Sequence, residues 1–375
     1  MHRISVSAFQ ADAAAKPPGG FARLPVILFM IAAMVLHLVG GPHPSQALDT
    51  AAWERFKARF VTGEGRVVDI YQNNISHSEG QGFALLLAVA HDDRSAFDAL
   101  WAWTRASLQT RPADSLASWA YGQAQDGTWR VLDPNNATDG DLFLAWALLA
   151  AHQRWGLPGA EAAARAVAGD IERLLVREQD GYLVLLPGEQ GFVGEQATVF
   201  NPSYFCFSAL RRLARLEGGT RLSRVRTDAL ALLENSRTGV LRLPPDWAVL
   251  TEGGVVRPWP ERPPLFSYDA IRIPLYLAWA GERAALELAR PLIALALRPQ
   301  GLPARLDLAT GEAPADQTEP ASAGYYAVLA RAAAALGATA EAGALWDKAR
   351  GLVEQEGQNY YSNVLFLLAS LETLP

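Results

Sequence analysis

Cysteine is nearly absent from this 375-residue chain: Cys206 stands alone, so no intramolecular disulfide can form. Histidine is scarce too, six in all. With one cysteine and no close histidine pair there is no donor set for a zinc site, and neither a metal nor another cofactor is expected. Charged residues make up only 19%, and the acidic ones outnumber the basic ones 39 to 33. That balance speaks against nucleic acid and against anionic membrane surfaces, and leaves an uncharged polymer open as a partner. β-branched residues give way to alanine and leucine, which favours helix. What the chain does have is apolar mass. Half of its residues are hydrophobic, enough for a sizeable core and too many for a disordered chain.

The first 47 residues read as an export signal. Arg3, Lys16 and Arg23 give a positive start, an apolar run covers 24–39 (LPVILFMIAAMVLHLV), and Gly40, Gly41 and Pro42 lead to the small-residue end Ser45-Gln46-Ala47. This is the order of a secretory signal peptide cleaved after Ala47. The alternative is an uncleaved anchor helix, since the run is near the lower limit for spanning a bilayer. Either way the expected location is periplasmic or secreted, with residues 48–375 as a single domain. Removing 1–47 leaves 30 basic against 38 acidic residues, a net charge of −8.

From Ala51 onward the apolar spacing predicts helices separated by turn-rich loops. They fall near 51–61, 79–91, 94–109, 140–154, 159–178, 202–216, 221–235, 269–281, 283–297, 321–336, 338–352 and 359–373. Very short links such as Asp92-Asp93, Gly281-Glu282 and Gly337 suit antiparallel helical hairpins. Long connections occupy 62–78, 110–138, 179–200, 236–268 and 298–320. Short and long links alternating around twelve helices predict an all-α toroid of six hairpins, an (α/α)6 barrel with its long loops gathered on one face. Strand character is confined to 181–186 and 240–243. The proline-rich stretch 244–264 holds Trp247 and Trp259 and reads as a groove loop rather than a linker.

Three acidic motifs sit at predicted helix starts. The central one, ATDGDLFLAWALLAAHQRW over 137–155, places Asp139 and Asp141 ahead of an apolar helix, with Thr138 and Asp139 as cap-type residues. Upstream lies LASWAYGQAQDGTWRVLDPNN, whose Trp, Tyr, Asn and Asp suit the lining of a sugar groove. The second motif is HSEGQGF over 77–83, in which Ser78 and Gln81 have capping-box spacing and Glu79 falls in the first turn. The third is FSYDAIRIP over 266–274, with Arg272 one helical turn after Asp269. Each acid taken alone is as well explained by compensation of a helix dipole. Glu79 adds a conflict: a helix N-terminus favours the carboxylate, whereas a general acid must hold its proton. An apolar pocket or a second carboxylate, such as Asp139, has to push the other way.

Together the three motifs resemble glycoside hydrolase family 8: the A-[ST]-D-[AG]-D signature, the SEGQGF segment and the Y-D-A-x-R-x-P region, in the family's order. Within the family the look is that of the periplasmic endoglucanases that accompany bacterial cellulose synthase. The resemblance implies an (α/α)6 catalytic domain that cuts β-1,4-glucan internally with inversion. It implies Glu79 as general acid, Asp269 as the base that activates water, and Asp139 as the carboxylate that grips and distorts the sugar. On sequence grounds the base role stays open between Asp139 and Asp269. Arg272 would orient Asp269. Flat side chains stack on sugar rings, and the candidates are Trp119, Tyr121, Trp129, Tyr204, Tyr268 and Tyr325, with Asn135 and Asn201 as hydrogen-bonding partners. Trp101, Trp103, Trp146, Trp155, Trp279 and Trp346 lie inside helical patterns and are expected in the core. The expected partners are β-1,4-glucan chains and the cellulose synthase complex. Chitosan, xylan or mixed-linkage glucan remain alternative substrates, and a glucan-binding accessory protein with little activity is the reading outside enzymes.

Overall fold

The computed structural model describes residues 49–216 and 220–375. The export signal expected at 1–47 lies outside the described residues. The helices are α1 (Thr50–Phe60), α2 (Ser78–Ala90), α3 (Arg94–Ser107), α4 (Thr138–Trp155), α5 (Ala160–Leu174), α6 (Phe207–Leu213) and α7 (Thr220–Ser236). They continue as α8 (Arg272–Ala280), α9 (Arg283–Leu286), α10 (Arg290–Ala296), α11 (Ala323–Ala335), α12 (Thr339–Val353) and α13 (Tyr360–Ser370).

Two kinds of helix alternate along the chain. In α4 every residue from Thr138 to Ala151 is buried, and α2 and α11 are buried almost all round. A helix that is apolar on every side must be enclosed on every side. By contrast α3 buries only Phe97, Leu100, Trp103 and Thr104, and α5 buries Ala160, Ala164, Val167, Ala168 and Ile171, one stripe each. The enclosed helices form an inner ring: α2 packs on α4, α4 on α6, α6 on α8, α8 on α11, α11 on α13, and α13 returns to α2. The striped helices lie outside it, each against an inner neighbour, so the ring is a closed (α/α)6 barrel.

The structure revises several boundaries. The helix expected over 159–178 ends at Leu174, because Val176–Gln179 pairs with Tyr182–Leu185 as a hairpin. The segment 202–216 opens as a 3-10 turn at Pro202–Tyr204 and becomes helical only from Phe207. The helix expected over 283–297 is broken by a 3-10 turn at Glu287–Ala289, ahead of Pro291. No strand forms at 240–243. That stretch is a turn with one bridge, Thr238 to Leu243, and Arg242 has a left-handed backbone.

Four of the long connections contribute strands to two small sheets. Ser118–Gln123 pairs with Trp129–Asn136, and its other edge takes Ser76–His77. Ala248–Thr251 lies between Ala197–Phe200 and Val255–Pro258. Trp129–Asn136 is mostly exposed and polar with a proline inside it, while Ala197–Phe200 and Ala248–Thr251 are buried on both sides, so neither sheet shows a clear alternation in sequence.

Candidate active site

The inner helices begin at the same end of the barrel, where the starts of α2, α8, α11 and α13 line a cleft of about 820 Å³. Its lining includes Glu79 of α2, Asp269 and Arg272 at the start of α8, Ser322 before α11, and Asn359 and Tyr361 at the start of α13. Unpaired N–H groups and aligned dipoles make that end positive. An anionic cluster is therefore expected there, and one is found.

Arg272 is its centre. The side chain is 3% exposed, and its two terminal nitrogens reach three carboxylates. Nη1 meets Glu79 Oε1 and lies 3.4 Å from Asp139 Oδ2, while Nη2 is 2.6 Å from Asp269 Oδ1. Nη2 also donates to Ser203 Oγ at 2.7 Å, and Ser203 in turn donates to Asn201 Oδ1. The Tyr204 ring lies 5.7 Å from the guanidinium. One buried cation thus gathers three acids whose positions in the chain span 190 residues.

Burial and mutual repulsion then act on these acids. Burial pushes the Asp139 carboxyl up to about 7, against the opposing influence of the Gly140 N–H and His77. Asp269 is held well above the usual carboxylate range by burial first, then by Asp246 and Asp139, while Asn201 and Trp247 favour its ionised form. Asp139 and Asp269 are both raised and Asp139 acts on Asp269, so the two are not both ionised near neutral pH and their protonation is linked. A site that must donate one proton and accept another needs such a set.

This architecture has known relatives. Residues 28–374 match the family model for Glycosyl hydrolases family 8. The chain belongs to glycosyl hydrolase family 8. It is 42% identical over 235 residues to an endoglucanase of Cellulomonas uda, a stretch covering 63% of this chain and 65% of that relative. A family 8 endoglucanase structure from Klebsiella pneumoniae superposes with a TM-score of 0.74 at 37% identity, covering 85% of this chain and 97% of the other. An endo-β-1,4-glucanase structure from Acetobacter xylinum gives a TM-score of 0.75 at 33% identity, covering 86% and 97%.

The aromatic candidates of this glycoside hydrolase fall in two places, beside the Arg272 cluster and cleft and on the strand Ser118–Gln123 with its partner. Tyr204 and Asn201 join the Arg272 cluster, and Tyr268, 40% exposed, lines the cleft beside Arg305 and Tyr361. Trp119 and Tyr121 alternate with buried Ser118 and Ala120 on one strand and share its more open face. Tyr121 stacks on Trp129, which is 44% exposed and has the Arg66 guanidinium over its ring at 4.4 Å. Of the helical tryptophans, Trp103, Trp146 and Trp279 are buried, and Trp101, Trp155 and Trp346 pack partly buried against the core.

Other candidates serve the scaffold. Tyr325 is 1% exposed and donates to the Ala304 carbonyl, so it anchors the 297–322 loop instead of facing substrate. Asn135 exchanges hydrogen bonds with the backbone of Gln190 and so ties two loops together. The expected capping box at Ser78 is absent: Gln81 is fully buried, accepting from Val67 N–H and donating to Thr104 Oγ1. Neither Thr138 nor Asp139 caps α4. Thr138 Oγ1 donates to the Leu186 carbonyl, and Asp139 accepts from Gly140 N–H. Asp269 precedes α8 by three residues and does not open it.

Asp246 is the chief residue that sequence reasoning missed. Its Oδ1 accepts from the Ser267 and Ala270 N–H groups, both at 2.8 Å, and its Oδ2 from Ser267 Oγ. It therefore folds the turn that presents Asp269. In sequence it is one aspartate in Pro-Pro-Asp-Trp, far from any helix start. Trp247 beside it packs against Phe192, Tyr204 and Trp259 as a second aromatic wall.

Proposed function

We propose that this glycoside hydrolase cleaves internal β-1,4 bonds of a glucan chain lying across the N-terminal end of the barrel, with inversion. The observation that carries this reading is the Arg272 cluster, in which Glu79, Asp139 and Asp269 meet between walls of aromatic side chains. Glu79 protonates the departing glycosidic oxygen, and Asp269, in the form of the cluster that has lost its proton and with Arg272 2.6 Å away, deprotonates a water on the opposite face of the sugar. Asp139, the most enclosed of the three, grips the sugar at the cleavage point. The six helix N-termini favour negative charge as it moves from one carboxylate to the other.

The relatives' endoglucanase names support β-1,4-glucan as the substrate. The sequence order of residues 1–47 supports export to the periplasm or beyond, and the family likeness supports a role beside a cellulose synthase in trimming nascent chains. The test is viscosity loss and reducing-end release on carboxymethyl-cellulose, with Glu79→Gln matched for folding, and NMR of the first product anomer. A fast viscosity drop, an α-anomer first, and a Glu79→Gln variant slowed by at least about 1,000-fold are expected. Activity on chitosan or xylan alone would keep the mechanism and replace the substrate. A β-anomer as first product would refute inversion, and an active Glu79→Gln would refute the acid.

A further inference from the structure

The end of α2 that carries Glu79 is held by an unusual cap. Ser, Thr, Asp and Asn usually stand there because their side-chain oxygens accept from first-turn N–H groups. Here the residue is His77, whose Nδ1 accepts from Gly80 N–H at 3.0 Å. A ring nitrogen that accepts carries no proton, so the proton of this tautomer is on Nε2, which faces Asp69 Oδ2 at 3.7 Å. Asp69 is fixed in turn by the Tyr71 and Gln72 N–H groups and by the Gln72 amide. Tyr360 packs edge-on against the imidazole at 5.5 Å. Glycine at position 80 makes room for the ring: a Cβ there would lie 3.1 Å from the imidazole and 2.7 Å from Tyr360 Oη. The ring is therefore faced by Asp69 from the loop before α2, by Tyr360 from α13 and by Asp139 from α4. On α2 itself Glu79 lies two residues on, with Arg272 of α8 against it.

We propose that His77 is a positioning residue for Glu79: its neutral imidazole caps the turn that aims the acid, and a doubly protonated ring releases that turn. The proposal rests on Glu79 being the general acid. An imidazolium carries N–H on both nitrogens, so Nδ1 would meet Gly80 N–H donor to donor. It would also set a positive charge beside Glu79 and Asp139, favouring their ionised forms just where a proton must be held. Both effects lower activity once the ring gains its second proton. A serine or asparagine at position 77 would cap the helix without that response.

The experiment measures kcat and KM on carboxymethyl-cellulose between about pH 5 and 8 for wild type, His77→Asn and His77→Gln, with Tm at each pH. Asparagine places a non-titrating acceptor near the position of Nδ1. Glutamine reaches toward Asp69 and leaves Gly80 N–H uncapped. Expected for His77→Asn is a kcat within about threefold of wild type at the upper end of the range, with a shallower fall on the acid side. Expected for His77→Gln is a loss of roughly tenfold or more in kcat at every pH, with KM changed less. An unaltered acid limb in His77→Asn overturns the proposal, as does wild-type kcat in His77→Gln. A folded His77→Asn that is inactive throughout also overturns it, since capping would then not be what the ring supplies. If His77→Gln does not fold, the His77→Asn profile decides alone. Glu79→Gln measured alongside separates the two levels. If it stays active, the acid assignment has failed, and if it is inactive while the His77→Asn limb is unaltered, only the present proposal has failed.

Discussion

Gly140→Ala tests whether close helix packing sets the catalytic geometry. Gly140 lies next to Asp139 in the first turn of α4, at the crossing with α2. A Cβ there would strike Ser78 Oγ and come within 2.7 Å of the Glu79 backbone nitrogen and 2.8 Å of the Ser78 carbonyl carbon. The serine hydroxyl can turn away, but the backbone of Glu79 cannot. Ordinary contact begins near 3.4 Å, so the two helix ends must separate by about 0.7 Å. That moves the acid relative to Asp139 and Arg272. A misplacement of about 1 Å costs on the order of 100-fold in rate, so kcat should fall roughly 10- to 30-fold. Overpacking should also cost about 1–3 kcal/mol of stability. Alanine is the better helix former by about 1 kcal/mol, so any loss comes from the crossing and not from propensity. The assay is initial-rate reducing-end release at saturating carboxymethyl-cellulose, with thermal unfolding on the same preparations. A folded variant with kcat within twofold of wild type would refute the reasoning, because the approach of α2 to α4 would then not fix the acid.

Three further outcomes follow from the same geometry. Asp141 is fully buried, accepts from Ala117 N–H and Asn136 Nδ2, and has its carboxyl pushed up to about 7 by burial. A raised carboxyl binds its proton more tightly folded than unfolded, so its stabilisation is complete below about pH 4 and is lost as pH rises through about 7. Unfolding at pH 5 and 8 should show that slope, at most about 3 kcal/mol from this group, and Asp141→Asn should flatten it; an unchanged slope would refute the assignment. Asp246→Asn removes a negative charge that raises Asp269, so Asp269 should ionise at lower pH and the acid limb of kcat/KM should move down; a limb that stays or moves up counts against Asp246 as that neighbour. Gly343→Ala lies in α12 with nothing within 4 Å of the added methyl and should raise stability by about 0.5–1 kcal/mol with kcat unchanged, which a melting curve and one rate measurement check.

The barrel was largely legible because its signal is repeated. Alternation of wholly apolar helices such as α4 with striped ones such as α5 is written in local composition, and links of one or two residues leave little choice of neighbour. Closure was not legible, since the packing of α13 on α2 joins segments about 280 residues apart. The acids Glu79 and Asp139 were legible as motifs at helix starts, and Asp269 as a motif three residues ahead of one. Their meeting on Arg272 was visible only for Asp269, three residues away. Asp246 shows the limit most clearly. It acts by hydrogen bonds to backbone groups 21 and 24 residues on, and a pairing of that kind leaves no periodic trace. Tyr325 and Asn135 fail in the opposite sense: residue type fits a sugar groove, but the Ala304 carbonyl and the Gln190 backbone claim them first.

The conflict posed by Glu79 at a helix N-terminus also has a physical answer. Taken alone, the dipole of α2 would stabilise the glutamate anion by roughly 0.3–1 kcal/mol and weaken it as an acid. The N-termini of the inner ring, however, bring not one carboxylate but several to the same buried end, with Arg272 as the cation among them. Burial raises Asp139, and burial first, then the charges of Asp246 and Asp139, raises Asp269. Dipoles and guanidinium make the cluster tolerable, and burial, with repulsion at Asp269, keeps protons on Asp139 and Asp269. A lone acid at a single helix start would be ionised and inert as a proton donor. Burial at the shared end of the ring is thus what lets Asp139 and Asp269 hold protons against dipoles that favour their anions.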